Sequence, residues 1–222
     1  MWRITLVVVT IILMFAGAPG RAETSGALPD ADPEEGEHAV HAGAAFSMGA
    51  YHRASTYDDG DYILHTQGGF SPGFLLWGEY WTRYLGGGLE FRMAFPGPEE
   101  ACASGICLSN DRLEEATGDR LRRGVQLGLF PYVKARYPTR LAEPYLALKF
   151  GYLFYNDDTQ IEGYGNGVGL SLALGSLFKV ARTWGVSLEL EYLYGSTWFS
   201  EDKKIRFATN AINLHLGVSY LF

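Results

Sequence analysis

The chain has 222 residues and a formal net charge of −7, with 28 Gly, 14 Tyr, 13 Phe, 5 Trp and 2 Cys. The acidic balance argues against a nucleic-acid partner, which would need a basic stripe. Mean hydropathy is −0.03, and beyond the N-terminus no apolar run is long enough to cross a bilayer as a helix.

The first segment, "MWRITLVVVTIILMFAGAPGRA", places Arg3 before an apolar run from Ile4 to Phe15 and ends in small residues. This is the layout of a secretory signal, with the cut expected after Ala22. The run is 12 residues long, short of the roughly 20 a spanning helix needs. Loss of residues 1–22 removes Arg3 and Arg21 and takes the charge from −7 to about −9. Residues 23–38, "ETSGALPDADPEEGEH", carry six acidic residues and no basic one. They read as a disordered acidic linker.

From residue 39 to residue 222 the chain repeats a period of two. Eight strands are expected, at about 39–53, 73–82, 86–96, 122–136, 144–155, 166–180, 185–199 and 207–222. Leu146, Leu148, Phe150, Tyr152 and Phe154 interleave with Tyr145, Ala147, Lys149 and Gly151. Val186, Leu188, Leu190, Tyr192 and Tyr194 interleave with Ser187, Glu189, Glu191, Leu193 and Gly195. The final stretch sets Ile212, Leu214, Leu216, Val218, Tyr220 and Phe222 against Ala211, Asn213, His215, Gly217, Ser219 and Leu221. Period two puts each set on its own face of a strand.

Connections alternate in length. Those at 54–72 and 97–121 are long, and those at 156–165 and 200–206 are medium. Those at 83–85, 137–143 and 181–184 are short. An antiparallel meander with tight turns at one end and longer loops at the other is the layout of a transmembrane barrel. The alternative is a soluble lipocalin-like barrel that carries a small ligand. The faces discriminate. Eight strands enclose a space just wide enough for side chains. A polar set of Glu90, Arg92, Lys149, Glu189, Glu191 and His215 fits there by mutual pairing. A face of Leu, Val, Phe and Tyr on every strand is too bulky for the inside and points to lipid. Aromatic girdles are expected at both boundaries: Trp81, Tyr84, Tyr137, Trp184, Tyr220 and Phe222 at the short-turn end, and Tyr51, Phe95, Tyr155, Trp198 and Phe207 at the loop end.

The last strand, alternating and closing on Phe222, resembles the C-terminal signature of Gram-negative outer-membrane barrels. "PGFLLWGEYW" and "YLGGGLEF" resemble the second and third strands of the small eight-stranded OmpA/OmpX-like class, and the likeness covers residues 39–222. The resemblance implies an all-β, eight-stranded antiparallel up-and-down transmembrane barrel in the outer membrane, with both termini periplasmic. It implies contact with outer-membrane lipids and lipopolysaccharide. It also implies that Phe222, Tyr220 and Val218 are read by the barrel-assembly machinery. The loops would meet an extracellular ligand whose identity the sequence leaves open.

Chemistry-bearing motifs are sparse. Cys102 and Cys107, in "ACASGIC", read as a local disulfide of an exported protein. "YDDGD" at 57–61 lacks the spacing and closing glutamate of a calcium loop. "GYGNGVG" at 163–169 departs from G-x-G-x-x-G, and no helix pattern follows it. Its glycines suit a narrow lumen or a bend. A lipid-A-modifying enzyme is the alternative activity, but "HRAS" (His52–Ser55) has the wrong spacing for the deacylase type and no acidic partner. No catalytic residue, metal or cofactor is expected. The reading is a structural or surface-interaction barrel and not a large pore.

Overall fold

The computed structural model describes residues 39–57, 63–97, 99–103, 106–117, 124–139, 142–156, 164–199 and 205–222. The expected signal segment and acidic linker lie outside them. Among the described residues ten strands and one helix follow in order: β1 (Ala39–Tyr57), β2 (Ile63–Trp81), β3 (Leu85–Ala94), β4 (Glu100–Ala103), β5 (Ile106–Ser109), α1 (Asn110–Thr117), β6 (Val125–Arg136), β7 (Ala142–Asn156), β8 (Tyr164–Lys179), β9 (Trp184–Phe199) and β10 (Ile205–Leu221).

Eight of the strands form one closed antiparallel meander, β1–β2–β3–β6–β7–β8–β9–β10. The first strand closes on the last from His41↔Leu221 to Tyr57↔Ile205. Closure leaves these eight without a free edge, which is the condition for a sheet to sit in hydrocarbon. The remaining pair, β4 and β5, forms a hairpin that adds to the outer part of β2. It stands above the barrel at the loop end.

The side chains alternate as the period of two requires. On β7 every residue from Glu143 to Asn156 switches between buried and exposed. The exposed set includes Phe46, Leu76, Leu148, Phe150, Leu172, Tyr192, Leu216 and Val218, with Phe150 60% exposed. The buried set includes Glu90, Arg92, Lys149, Glu191 and His215. A water-soluble barrel carries the opposite distribution, because exposed apolar area costs about 25 cal/mol per Å² in water. The lipocalin-like alternative is set aside by this inversion.

Three expectations need correction. The connection expected at 54–72 is mostly strand. The β1–β2 ladder runs on through Thr56↔Ile63 and is interrupted only by an irregularity between Gly49 and Tyr51. Pro72, which cannot donate to a ladder, lies next to it. Above the bilayer the outward residues need not be apolar, so "HRASTY" and "ILHTQ" lose the alternation while keeping the ladder. The second correction is the hairpin and helix inside the segment expected as a loop at 97–121. The third concerns the girdles. Trp81, Tyr51 and Tyr155 are buried in the lumen, because each shares the parity of its strand's inward residues. Tyr84, Tyr137, Trp184, Tyr220, Phe222 and Trp198 are exposed, as girdle residues should be. The side chain of Phe207 lies outside the described set.

Candidate functional site

Among the described residues the lumen gathers most of the buried polar chemistry, and it is layered along the barrel axis. Nearest the loop end is an apolar plug of Tyr51, Phe130, Leu153, Leu193 and Ala211. Phe130 is fully buried. It fits only because the facing positions are glycine: a Cβ on Gly151 would stand 2.5 Å from Phe130 Cγ, and one on Gly169 would stand 2.9 Å from Cζ. That close approach gives the lumen glycines of β7 and β8 a physical reason.

Below the plug lies the charged layer. Arg92 of β3 makes a forked pair with Glu191 of β9, Nη1 to Oε2 at 3.0 Å and Nη2 to Oε1 at 2.7 Å. Its Nε donates to Glu90 Oε1 at 3.0 Å. The Arg92 guanidinium also lies 4.1 Å over the Phe130 ring, which joins this layer to the apolar plug. Lys149 of β7 reaches Glu90 Oε2 at 2.7 Å and Glu189 Oε1 at 2.6 Å. Lys149 and Glu191 have no exposed side-chain surface. His215 Nε2 lies 3.0 Å from Glu191 Oε2. Asn213 Nδ2 and the Ser171 hydroxyl also donate to Glu191. The Tyr145 hydroxyl donates to Glu189 at 3.0 Å. The six polar residues read from the alternation therefore lie in one layer, contributed by β3, β7, β9 and β10.

A second cluster centres on Glu79 of β2. Trp81 Nε1 donates at 2.8 Å, the Tyr132 hydroxyl at 2.8 Å and Lys134 Nζ at 2.9 Å. His41 Nδ1 stands 3.4 Å away. At the short-turn mouth, Glu143 is clasped by Arg136 at 2.9 Å and by Lys179 at 2.7 Å. Sequence reasoning missed this last pair because residues 137–143 read as a turn. The signal was present: Glu143 has the parity of Tyr145, Ala147 and Lys149, so it continues the inward row.

Charges in a low-dielectric interior are tolerated only when paired and hydrogen-bonded. Here nearly every carboxylate oxygen of the charged layer has a named partner. The arrangement therefore binds itself. Small cavities flank it, about 30 Å³ on the loop side and about 20 Å³ on the short-turn side. Each has room for one or two waters. Ligand atoms of Glu189, Glu191 and His215 approach within 4.8 Å of one another. A metal there would have to displace Arg92 and Lys149 from the same carboxylates, so the donor set does not fit one. His215 Nδ1, His41 Nδ1 and Ser219 Oγ have no hydrogen-bond partner among the described residues.

Outside the barrel, Cys102 and Cys107 are joined, directly opposite one another on β4 and β5. The bond staples the hairpin. His52 of "HRAS" is exposed, and the side chain of Ser55 lies outside the described set.

No protein-family model and no curated protein matches the chain. Among solved structures it is similar to Neisserial surface protein A, at 15% identity over 80% of this chain and 96% of that one, TM-score 0.45. It is similar to the outer membrane protein OprG from Pseudomonas aeruginosa, at 12% identity over 84% and 96%, TM-score 0.49. It is also similar to the outer membrane protease OmpT from Escherichia coli, at 10% identity over 90% and 99%, TM-score 0.45. At such identities the likeness is one of fold, and a protease stands among these neighbours. By its closed eight-strand meander, its apolar exterior and its charged interior, the chain is a small transmembrane β-barrel of the outer-membrane type.

Proposed function

We propose that the chain is an integral outer-membrane barrel that acts through its exposed loop end, as a structural or surface-interaction protein, and neither conducts solutes nor catalyses a reaction. The observation that carries this reading is the closed charged layer. Lys149 and Glu191 have no exposed side-chain surface, and each is held by residues from other strands. A hydrated solute cannot pass without breaking several buried ion pairs. A non-enzymatic role is supported by the same saturation: the buried carboxylates are engaged in structural pairs and not poised toward a cleft.

The loop end carries the other half of the proposal. Connections 58–62, 95–124, 157–163 and 200–204 hold fourteen acidic and six basic residues. That surface suits a cationic extracellular partner, or lipopolysaccharide bridged by divalent cations. Both ends of the barrel segment fall at the short-turn side, which this reading places in the periplasm. Val218 and Tyr220 lie on the outward row of β10 and Phe222 directly follows the strand, and we assign to them the signal read by the assembly machinery.

Two measurements test the reading. Reconstituted protein should show no sugar permeation in a liposome-swelling assay and no stable open channel in a planar bilayer. Trypsin added to intact cells should cut at Arg120, Arg122 or Arg123 and leave Arg83 and Arg182 intact until the envelope is opened. Steady conductance refutes the closed lumen, and cleavage at Arg83 in intact cells refutes the orientation. Phe222→Ala should lower the assembled fraction; wild-type assembly would count against the insertion signal.

A further inference from the structure

The short-turn end differs in charge from the loop end. Its three turns, 82–84, 137–141 and 180–183, contain no acidic residue. The first of them displays Arg83 and the third displays Arg182, both exposed. Among the described residues neither guanidinium is paired with a carboxylate. Glu143, a carboxylate at this mouth, is already taken by Arg136 and Lys179.

Arg83 lies over a girdle aromatic, and Arg182 is two residues before one in the chain. Arg83 lies over the ring of Tyr84, Cζ to centroid 5.2 Å, and Tyr84 is 50% exposed. The turn beneath it is fixed. Thr82 and Leu85 exchange hydrogen bonds through backbone and hydroxyl. Arg136 donates to the carbonyls of Thr82 and Arg83 at 3.2 and 3.3 Å. Arg136 thus occupies the turn's acceptors from the lumen side, which leaves the Arg83 fork facing outward. Across the barrel, Arg182 precedes Trp184, which is 49% exposed. Trp184 packs edge-on against Tyr220 at 5.2 Å, and Tyr220 against Phe222 at 4.7 Å. The Val180 and Ala181 amides both donate to the Trp184 carbonyl at 3.1 Å, which holds this turn tight.

Exposed Tyr and Trp mark the depth of the lipid headgroups. An unpaired arginine at that depth has one abundant partner of matching geometry, because the guanidinium fork fits a phosphate. We propose that Arg83 with Tyr84, and Arg182 with Trp184, form two binding sites for the phosphate headgroup of an anionic phospholipid in the leaflet that meets the short-turn end. The turns join β2 to β3 and β8 to β9, which are four strands apart in a closed ring of eight. They are therefore opposite one another, and each holds its own lipid. The aromatic ring lies along the acyl-glycerol region while the guanidinium takes the phosphate. The proposed preference belongs to the leaflet at the short-turn end.

The test is native mass spectrometry of the purified, folded barrel equilibrated with an equimolar mixture of phosphatidylglycerol and phosphatidylcholine. An arginine at a membrane surface should favour the anionic lipid about fivefold at each site. Arg83→Gln and Arg182→Gln should each remove one retained phosphatidylglycerol, and the double variant should retain both lipids equally. Arg112→Gln, which removes an exposed cation at the loop end, should leave retention unchanged. Equal retention of the two lipids by the wild type overturns the proposal. So does a preference that survives in the double variant, or one that Arg112→Gln abolishes. Displacement of the lipid by inorganic phosphate alone would show a simple anion site and overturn the assignment to lipid.

Discussion

Lys149→Met tests whether the lumen is held by charge pairing or merely filled. The methionine keeps most of the volume and removes the ammonium. Glu90 then still has Arg92, at 3.0 Å to its Nε. Glu191 keeps the Arg92 fork, His215 and Asn213. Glu189 loses most: it loses Lys149 at 2.6 Å, keeps the Tyr145 hydroxyl at 3.0 Å as its close partner, and has His215 Nε2 no nearer than 4.0 Å. One buried carboxylate is thus left without a close cation, and breaking a buried pair this way costs about 3–5 kcal/mol. Urea unfolding of the barrel in lipid vesicles reads this directly. At a slope of about 2 kcal/mol per molar urea, the midpoint should fall by roughly 1.5–2.5 M. The second variant isolates the cause. Glu189→Gln in the Lys149→Met background removes the orphaned charge and keeps an acceptor for Tyr145. It should recover more than half of the loss, a strong favourable coupling for residues in contact. The wild-type stability should also change little with added salt, because buried pairs are poorly screened. A loss under about 1 kcal/mol in Lys149→Met, or a double variant no better than the single, would refute the reasoning.

Three further outcomes follow from the same geometry. Leu172→Arg puts a cation on the lipid face of β8, beside Leu148 and Tyr192, and should cost about 2–4 kcal/mol in bilayers; a lipid-soluble quencher should reach a probe at 172 and not at 171. Gly169→Val drives a side chain into Phe130, whose Cζ stands 2.9 Å from a Cβ placed there, and should cost about 1–3 kcal/mol by overpacking. Phe130→Ala should restore part of that loss in the double variant, and an additive result counts against the close contact. Thiol labelling of denatured, unreduced protein should find no free cysteine among Cys102 and Cys107. Reduction should change proteolysis of the hairpin while the barrel keeps its folded mobility on gels.

Much of this architecture was legible because a barrel in lipid obeys one rule on every strand. Period two fixes which residues face lipid, and one inward charge on a strand predicts the facing of every second neighbour. Glu90, Arg92, Lys149, Glu189, Glu191 and His215 could be placed in one lumen from parity alone. Which of them would touch could not, because contact depends on the stagger between strands. Lys149 and Glu189 are forty residues apart and meet only through the register of β7, β8 and β9. Parity also held a correction that aromatic character hid. Trp81, Tyr51 and Tyr155 belong to the inward rows, and their rings fill the lumen instead of the lipid boundary. The strand overshoot at 54–57 and 63–72 was illegible for a different reason. Above the bilayer a ladder is stabilised by its backbone hydrogen bonds and by the hairpin docked on it, and neither leaves a hydrophobic period.

The charged layer has a role beyond filling space. A chain apolar on both faces would lose little by sliding one residue along its neighbour. Such a slip turns every side chain to the opposite face. In this barrel a slip of β9 by one residue would carry Glu189 and Glu191 into lipid and bring Leu188 and Leu190 inward, leaving Arg92 and Lys149 with Glu90 as their one close carboxylate. A buried ion pair need not add net stability over well-packed apolar residues. What it adds here is a large penalty on the wrong register, imposed at once by strands β3, β7, β9 and β10. In the proposed closed barrel the groups that fix the register are also the groups that would block the passage.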